Sequence, residues 1–346
     1  MSRDSEILAV RSSVALSRQD GLSCVRLTGP GAFDAVDKLC AGEIFIREGQ
    51  LMHTLLLRET AEILADVYLC ALSEGYLLVA DGVSNAELLA HLSAHAEGPG
   101  VVVEPLEQNH AVFGLDGPYA WELLAALAGP ESVGLPFQAL FEAPQFTCLR
   151  AGKTGEYGSL LVTPRASALA VYGELLAKGK ALDVVEVGQE ALDQCALENA
   201  FFNARREVRP SLTPIELQLQ WRASRRKEFI GAQALQARRG TATSRTVWLR
   251  SAGPLASGDE LRLGERPIGE ILNAGFSPTL QEHVALGLVE LAVAHPGVEG
   301  LHAGRGSASS TARTISAPVI DNRSLHIDPQ RHSYAERAAV VFPPIA

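Results

Sequence analysis

A chain of 346 residues exceeds what one hydrophobic core usually serves, so two or three packed domains are expected. Its formal net charge of -10 at pH 7 argues against affinity drawn from nucleic-acid phosphates, and it has no apolar run of about 18 residues to span a membrane. The opening Met1-Ser2-Arg3-Asp4-Ser5-Glu6 lacks the apolar stretch of a secretory signal. The cysteines (Cys24, Cys40, Cys70, Cys148 and Cys195) are odd in number, scattered and without a CxxC pair, which fits buried thiols in a reducing cytoplasm.

In chain order, Ser23 to Leu27 alternates like a strand, and the turn signal Gly29-Pro30-Gly31 ends it. Ala32 to Leu39 carries apolar residues at helical spacing. Met52 to Leu57 and Ile63 to Leu72 read as two strands joined at Arg58-Glu59-Thr60, and Tyr76 to Ala80 reads as a third, closed by Asp81-Gly82. Ser84 is a suitable N-cap for a helix through Leu88 and Leu92, since its hydroxyl can accept from a first-turn amide. Strands are expected at Val101 to Glu104 and Ala111 to Leu115, with a helix from Tyr119 to Leu127. The Gly-rich turn Thr154-Gly155-Glu156-Tyr157-Gly158 leads into a strand from Ser159 to Val162. Helices follow over Ser167 to Leu176 and Gln189 to Phe201. The polar stretch from Arg238 to Ser244 suits an interdomain linker. Beyond it, short segments such as Val247 to Leu249 and Glu260 to Leu263 suggest a small β-rich domain, and the tail from His326 to Ala346 is expected to drape over the surface.

Several residues invite a chemical reading. His91 and His95 lie four apart on a helix, a spacing that suits a shared metal, but no carboxylate completes an HExxH pattern, so no metal site is expected. Gly304-Arg305-Gly306-Ser307 lacks the strand, lysine and helix of a phosphate loop and reads as a surface turn. Arg205-Arg206 and Arg225-Arg226-Lys227 read as solvated faces, although guanidinium forks suit carboxylated ligands. No GxSxG nucleophile element is present. Asp66 stands out, because it interrupts the apolar run Ile63-Leu64-Ala65-Asp66-Val67-Tyr68-Leu69, and an acid in a half-buried strand needs a partner or a purpose.

A collinear series of segments resembles the glycine cleavage T-protein (aminomethyltransferase) superfamily. Arg58 to Asp66 is similar to its strand–turn–strand with two glycines and a pair of acids, the second acid falling on Asp66. Gly117-Pro118-Tyr119-Ala120 resembles its "GP.A" element, and Thr154 to Gly158 its "TGEDG" turn. Leu197-Glu198, Thr213-Pro214 and Lys227-Glu228-Phe229-Ile230-Gly231 fall where its "LRLEAG", "TP" and "K.DFIG" lie. Gly275 to Leu280 matches "SGTFSPTL", and Val284 to Gly287 resembles "IALG". The resemblance runs from about residue 6 to 320. It implies an α+β fold, a clover-leaf of three domains around a central hole, with parts at 1–105 (carrying the Asp66 strand), 106–238 and 244–325 (a β-rich barrel), then an extended tail at 326–346.

The resemblance also implies tetrahydrofolate as cofactor, a small-molecule one-carbon donor, and a carrier protein as a possible partner, with no nucleic acid and no membrane. Asp66 would be the catalytic carboxylate, near the folate amine where the one-carbon unit is exchanged. A desolvated carboxylate there can orient substrate and stabilise positive charge developing on nitrogen or sulfur. The chain departs from the pattern in places. The glutamate that grips the pterin edge is Leu160, and the arginine of "LRLEAG" is Ala196. The two-glycine turn is Ala61-Glu62, the first acid of the pair is Ala65, a family asparagine is Asp81 and a family tyrosine is His53. His53, Asp81, Glu156 and Tyr157 are therefore the candidate cofactor contacts, with Asp81 or Glu156 as replacement acceptor and Tyr157 stacking on a flat ring. Two expectations follow. The first is a tetrahydrofolate-dependent methyl or aminomethyl transferase acting on a small amine, sulfonium or ether. The second is a non-transferase ligand-binding protein on the same scaffold, with folate binding altered or lost.

Overall fold

The computed structural model describes residues 1–305 and 308–343. The chain opens with helix α1 (Arg3–Ser12) and strand β1 (Ala15–Arg18), then β2 (Ser23–Thr28), α2 (Ala32–Leu39), β3 (Leu51–Leu57), β4 (Ile63–Ala71), β5 (Tyr76–Asp81), α3 (Asn85–His95) and β6 (Val102–Pro105). A second run holds β7 (His110–Asp116), α4 (Ala120–Ala128), β8 (Leu140–Ala143), β9 (Phe146–Leu149), β10 (Gly158–Pro164), α5 (Arg165–Gly179), β11 (Val185–Glu186), α6 (Gln189–Glu198) and α7 (Ala204–Glu207). After α8 (Ala232–Arg238) come β12 (Ser244–Ser251), β13 (Glu260–Leu263), β14 (Arg266–Ser277), β15 (Glu282–Glu290), β16 (Leu301–Arg305) and β17 (Ala308–Ile315).

These strands form three units: a sheet ordered β3-β4-β5-β2-β6, a sheet ordered β11-β1-β7-β10-β9-β8, and a closed barrel ordered β12-β15-β14-β13-β16-β17. Strand β1 belongs to the second sheet, where it pairs with β7 and β11, so the first residues cross from one sheet to the other. Together these units form the α+β architecture with a β-barrel at its C-terminal end that the family resemblance implied. No helix among the described residues is long and apolar enough to cross a membrane.

The local chemistry explains the elements that carry the site. Ser84 caps α3 by accepting from the Glu87 amide, which satisfies a donor that would otherwise be orphaned. Strand β4 is buried along its whole length, not half-buried as its polar interruption suggested. Alternation divides its side chains between two cores. Ala65, Val67 and Leu69 pack with Val36, Leu39, Leu88 and Leu92 of the flanking helices. Tyr68 and Cys70 face the second sheet, in a core shared with Leu77, Val79, Val112, Leu149, Leu160 and Val162. Asp66 lies on that same face, at the edge of the layer where the two sheets meet. All five cysteines are free and buried.

The described part of the tail after residue 325 is mostly exposed but is anchored at two points: Ile327 and Tyr334 are each 5% exposed and pack into the core beside α4 and β7. The Tyr334 ring meets Tyr119 edge-on, and its hydroxyl donates to Asp183. An isolated aromatic without periodicity gives no sequence signal for such docking. Residues 306 and 307, part of the glycine-rich turn noted in the sequence, lie outside the described residues.

The turn between β9 and β10 is held from below by a buried polar network. Arg11 donates to the Thr154 carbonyl and to Glu198, and Asn199 donates to the same carbonyl. Gly155 has φ +84°, and a Cβ there would sit 2.3 Å from Asn199 Oδ1. Gly155→Ala is therefore expected to destabilise the protein by about 2 kcal/mol or more, read as a lowered Tm. An unchanged Tm would contradict this account of the turn.

Candidate functional site

Asp66 on β4 and Asp81 on β5 are direct cross-strand partners, with side chains on one face of the sheet. Like charges directly opposite each other destabilise a sheet, and these two are nearly solvent-free, at 2% and 6% exposure. The protein resolves the conflict with a cation. Lys153, from the turn after β9, reaches across the interface and places Nζ 2.6 Å from Asp66 Oδ2 and 2.8 Å from Asp81 Oδ2.

Further charges complete the cluster. Arg222, buried in a short 3-10 turn, lies 2.9 Å from Asp66 Oδ1. On the other side Arg205 bridges Asp81 at 3.0 Å and Asp193 at 2.9 Å, and Arg206 also pairs with Asp193. His53 Nε2 is 2.7 Å from Asp66 Oδ1, and its ring stacks on Tyr68 with centroids 4.4 Å apart. The Lys153–Asp81 contact is a directed hydrogen bond. The contacts at Asp66 are short but off-axis for hydrogen bonding, so charge more than aligned donors holds that carboxylate.

The protonation states follow from burial set against these partners. Burial pushes the Asp66 pKa up, but His53, Lys153 and Arg222 outweigh it and hold the carboxyl well below its usual range. Burial lowers the His53 pKa to about 4 despite Asp66 beside it. His53 is thus neutral at pH 7, and the contact requires its proton on Nε2. For Lys153, burial opposes the charge, yet Asp66 and Asp81 raise the pKa above the usual lysine value. Glu207, fully buried behind the site, is pushed by burial to about 7.

A cleft opens beside this cluster. Leu22, Tyr68, Val79 and Leu160 form an apolar wall, and Gln189, Leu192, Asp193 and Ala196 line it from one face of α6, positions that helical geometry places together. His53, Asp66 and Asp81 come together in this cleft, as do Leu160 and Ala196, the two positions where expected contacts are replaced. Glu156 and Tyr157 stand away from it. Glu156 accepts from the backbone and hydroxyl of Ser324 and faces Arg11. Tyr157 lies under Arg150 and donates to the Ile327 carbonyl. Arg205, expected on a solvated face, instead lines the cleft. Lys153, Arg222 and Asp116 also belong to the site, although no local sequence signal marked them. Their partners are remote in the chain. His91 and His95 sit with ring centroids 4.8 Å apart, and no cluster of metal-ligating residues occurs among the described residues.

Residues 2–227 match the family model described as the GCVT N-terminal domain. An aminomethyltransferase of Frankia alni is 30% identical over 300 residues, covering 83% of this chain and 80% of that protein. One from Thermotoga maritima is 27% identical over 297 residues, covering 83% and 81%. The crystal structure of glycine cleavage system aminomethyltransferase T from Bartonella henselae superposes with a TM-score of 0.84 at 27% identity, covering 91% of this chain and 89% of that one.

The charge bridge gives a direct test. Lys153→Met removes the cation but keeps the stem, leaving adjacent buried carboxylates. A loss of about 3 kcal/mol at pH 7 is expected, the low end for a broken buried pair, because Arg205 and Arg222 remain. The variant should regain stability as pH falls from 7 to 5, since one carboxyl can then take a proton. Asp66 in the parent adds nothing to such a rise, since its contribution is complete above the unfolded pKa of about 3.9 and fades only as pH falls through the lower folded value. Glu207 and Asp116, whose pKa values burial raises, titrate in both proteins, so the variant's rise is expected to exceed the parent's. Adding Asp81→Asn should restore part of the loss. Chemical denaturation across pH measures all three, and a Lys153→Met protein as stable as the parent would contradict the bridge.

Proposed function

The chain belongs to the glycine cleavage T-protein family, and on that premise we propose that it is a tetrahydrofolate-dependent one-carbon transferase. The unit moved is a methyl or aminomethyl group, taken from a small amine, sulfonium or ether, or from a carrier protein. The observation that carries this reading is the ionised, solvent-shielded Asp66 at the edge of a cleft with apolar walls. The cleft's residues fit such a ligand in two respects. Leu22, Val79 and Leu160 line it with apolar side chains, and Asn203 Oδ1, buried at the cleft, has no hydrogen-bond donor among the described residues, an acceptor that a ligand N–H can satisfy.

Tetrahydrofolate supplies the ring amine that exchanges the one-carbon unit. The rest is the work of this chain's own side chains. With its pKa held well below the usual range, Asp66 is a poor proton acceptor at neutral pH, because an effective general base titrates near the working pH. Its role is electrostatic: a fixed negative charge in a desolvated site stabilises positive charge developing on nitrogen or sulfur. His53 stays neutral and lies against the carboxylate, with Nε2 2.7 Å from Asp66 Oδ1. The Asp66 side chain is fully shielded while Lys153 bridges it, so a cationic group of the donor reaches Asp66 by taking the place of the Lys153 ammonium.

A second reading, a ligand-binding protein without transfer, is favoured by one specific observation. The carboxylates Asp66 and Asp81 already have their charges matched by Lys153, Arg205 and Arg222, so the site is electrostatically complete without a substrate.

Calorimetric titration of the parent and Asp66→Asn with tetrahydrofolate, paired with transfer assays, separates the readings. The assays use methylated amine, sulfonium and ether donors and an aminomethyl-loaded carrier protein. Binding is expected in both proteins, with turnover in the variant reduced at least a hundredfold, by analogy with loss of one oriented electrostatic group. No binding by the parent at millimolar tetrahydrofolate would overturn the proposal. Binding without turnover on any donor would favour the second reading.

A further inference from the structure

The cleft is lined by Asp66, Asp81, Asp116 and Asp193, and three of them are paired with cations. Asp116 is different: among the described residues it makes no ion pair. Its Oδ1 accepts from the Thr154 hydroxyl at 2.8 Å, and among the described residues no hydrogen-bond donor to Oδ2 is found. The residue is 5% exposed, at the end of β7 opposite Gly158 of β10. A Cβ at Gly152 or at Gly158 would come within 3.2 Å of Oδ1, so the glycines leave the carboxyl its room. One step along the same strand pair, Leu160 lies opposite Gly114 and forms the adjoining apolar wall.

Burial pushes the Asp116 carboxyl up to about 6, against the Thr154 hydrogen bond and the nearby charges of Arg150 and Arg11, with Glu156 adding to the rise. A neutral side chain would satisfy Thr154 equally well, so the buried acid costs stability without a structural return. Such costs concentrate at binding sites. The remaining acceptor capacity calls for N–H donors, since a carboxylate accepts through both oxygens. The apolar walls beside it select a flat, uncharged ring.

We propose that Asp116 is a ligand-binding residue that accepts the N–H edge of a planar heterocycle lying against Leu22, Val79 and Leu160. The chemical class is a ring with adjacent amide and amino donors, as in a 2-amino-4-oxopteridine. The inference rests on the folate-dependent reading and deepens it, assigning a new acceptor in a cleft where position 160 is apolar, Asp81 is committed to Lys153 and Arg205, and Glu156 faces away.

Calorimetry on the parent and Asp116→Asn tests it, with three probes: tetrahydrofolate, a simple 2-amino-4-oxopteridine, and a 2-desamino-2-methyl analogue of that ring. Asparagine keeps an acceptor for Thr154, so the variant should fold with a Tm at or above the parent's at pH 7. The variant is expected to bind both 2-amino rings at least tenfold more weakly, and to lose clearly less affinity for the 2-methyl analogue, which presents only the ring amide N–H to position 116. Equal affinities of the two proteins for tetrahydrofolate would overturn the role of Asp116 and leave the folate reading standing. A parent that binds the pteridine but not tetrahydrofolate would overturn the folate reading, and the variant's loss of the pteridine would still uphold Asp116. A parent that binds neither overturns both.

Discussion

Two aspartates facing each other across adjacent strands, in the dry layer between two sheets, impose the constraint around which this protein is built. Asp66 and Asp81 cannot both be ionised there without compensation, and neither can retreat into solvent. Lys153 supplies the compensation from the opposite sheet, so one ammonium joins the two sheets at the edge of the cleft. The bridge is electrostatic and directional at once. Its strength comes from low dielectric, and its cost is the desolvation of three charged groups. Arg222 and Arg205 extend the same balance toward the loops beyond the second sheet. The outcome is a carboxylate that remains charged at any physiological pH and hidden from water.

That bridge depends on placing one short turn correctly. The turn from Gly152 to Tyr157 is fixed because its carbonyl at Thr154 receives donors from Arg11 and Asn199, themselves anchored to Glu198 and Asn322. Residues from α1, α6 and the segment after the barrel thus converge on one peptide group. Glu156, inside the same turn, is spent on holding Ser324. The C-terminal segment therefore contributes to the geometry of a cleft it does not line, and its burial against Tyr119 is part of the same arrangement.

The sequence carried the local elements well and the long-range pairings poorly. Alternation in Ser23 to Leu27, the apolar run of Ile63 to Leu72, the helical spacing of Ala32 to Leu39 and the cap at Ser84 all correspond to elements of the fold, because each signal is contained within a few residues. Asp66 was legible as an anomaly, a charge within an apolar run. Its partners were not: Lys153 and Arg222 lie far along the chain, and a basic residue in a loop looks the same whether it is solvated or buried against an acid. Arg205 illustrates this, having the composition of an exposed face and the position of a cleft residue. Glu156 and Tyr157 show the converse, since a turn similar to a ligand-binding one directs its side chains inward to the 322–327 segment. The short helix α1 and strand β1 went unread, as their amphipathic pattern is too brief to separate from background.

In the proposed function, tetrahydrofolate lies in the cleft between the sheets, against Leu22, Val79 and Leu160, with Asp66 at its reacting end. A crystal structure of the protein soaked or grown with tetrahydrofolate tests this most directly. Ring density is expected in that cleft, with the exchanging amine near Asp66 and the Lys153 contact to Asp81 retained. Ligand density at another surface, with the cleft unchanged, would contradict it.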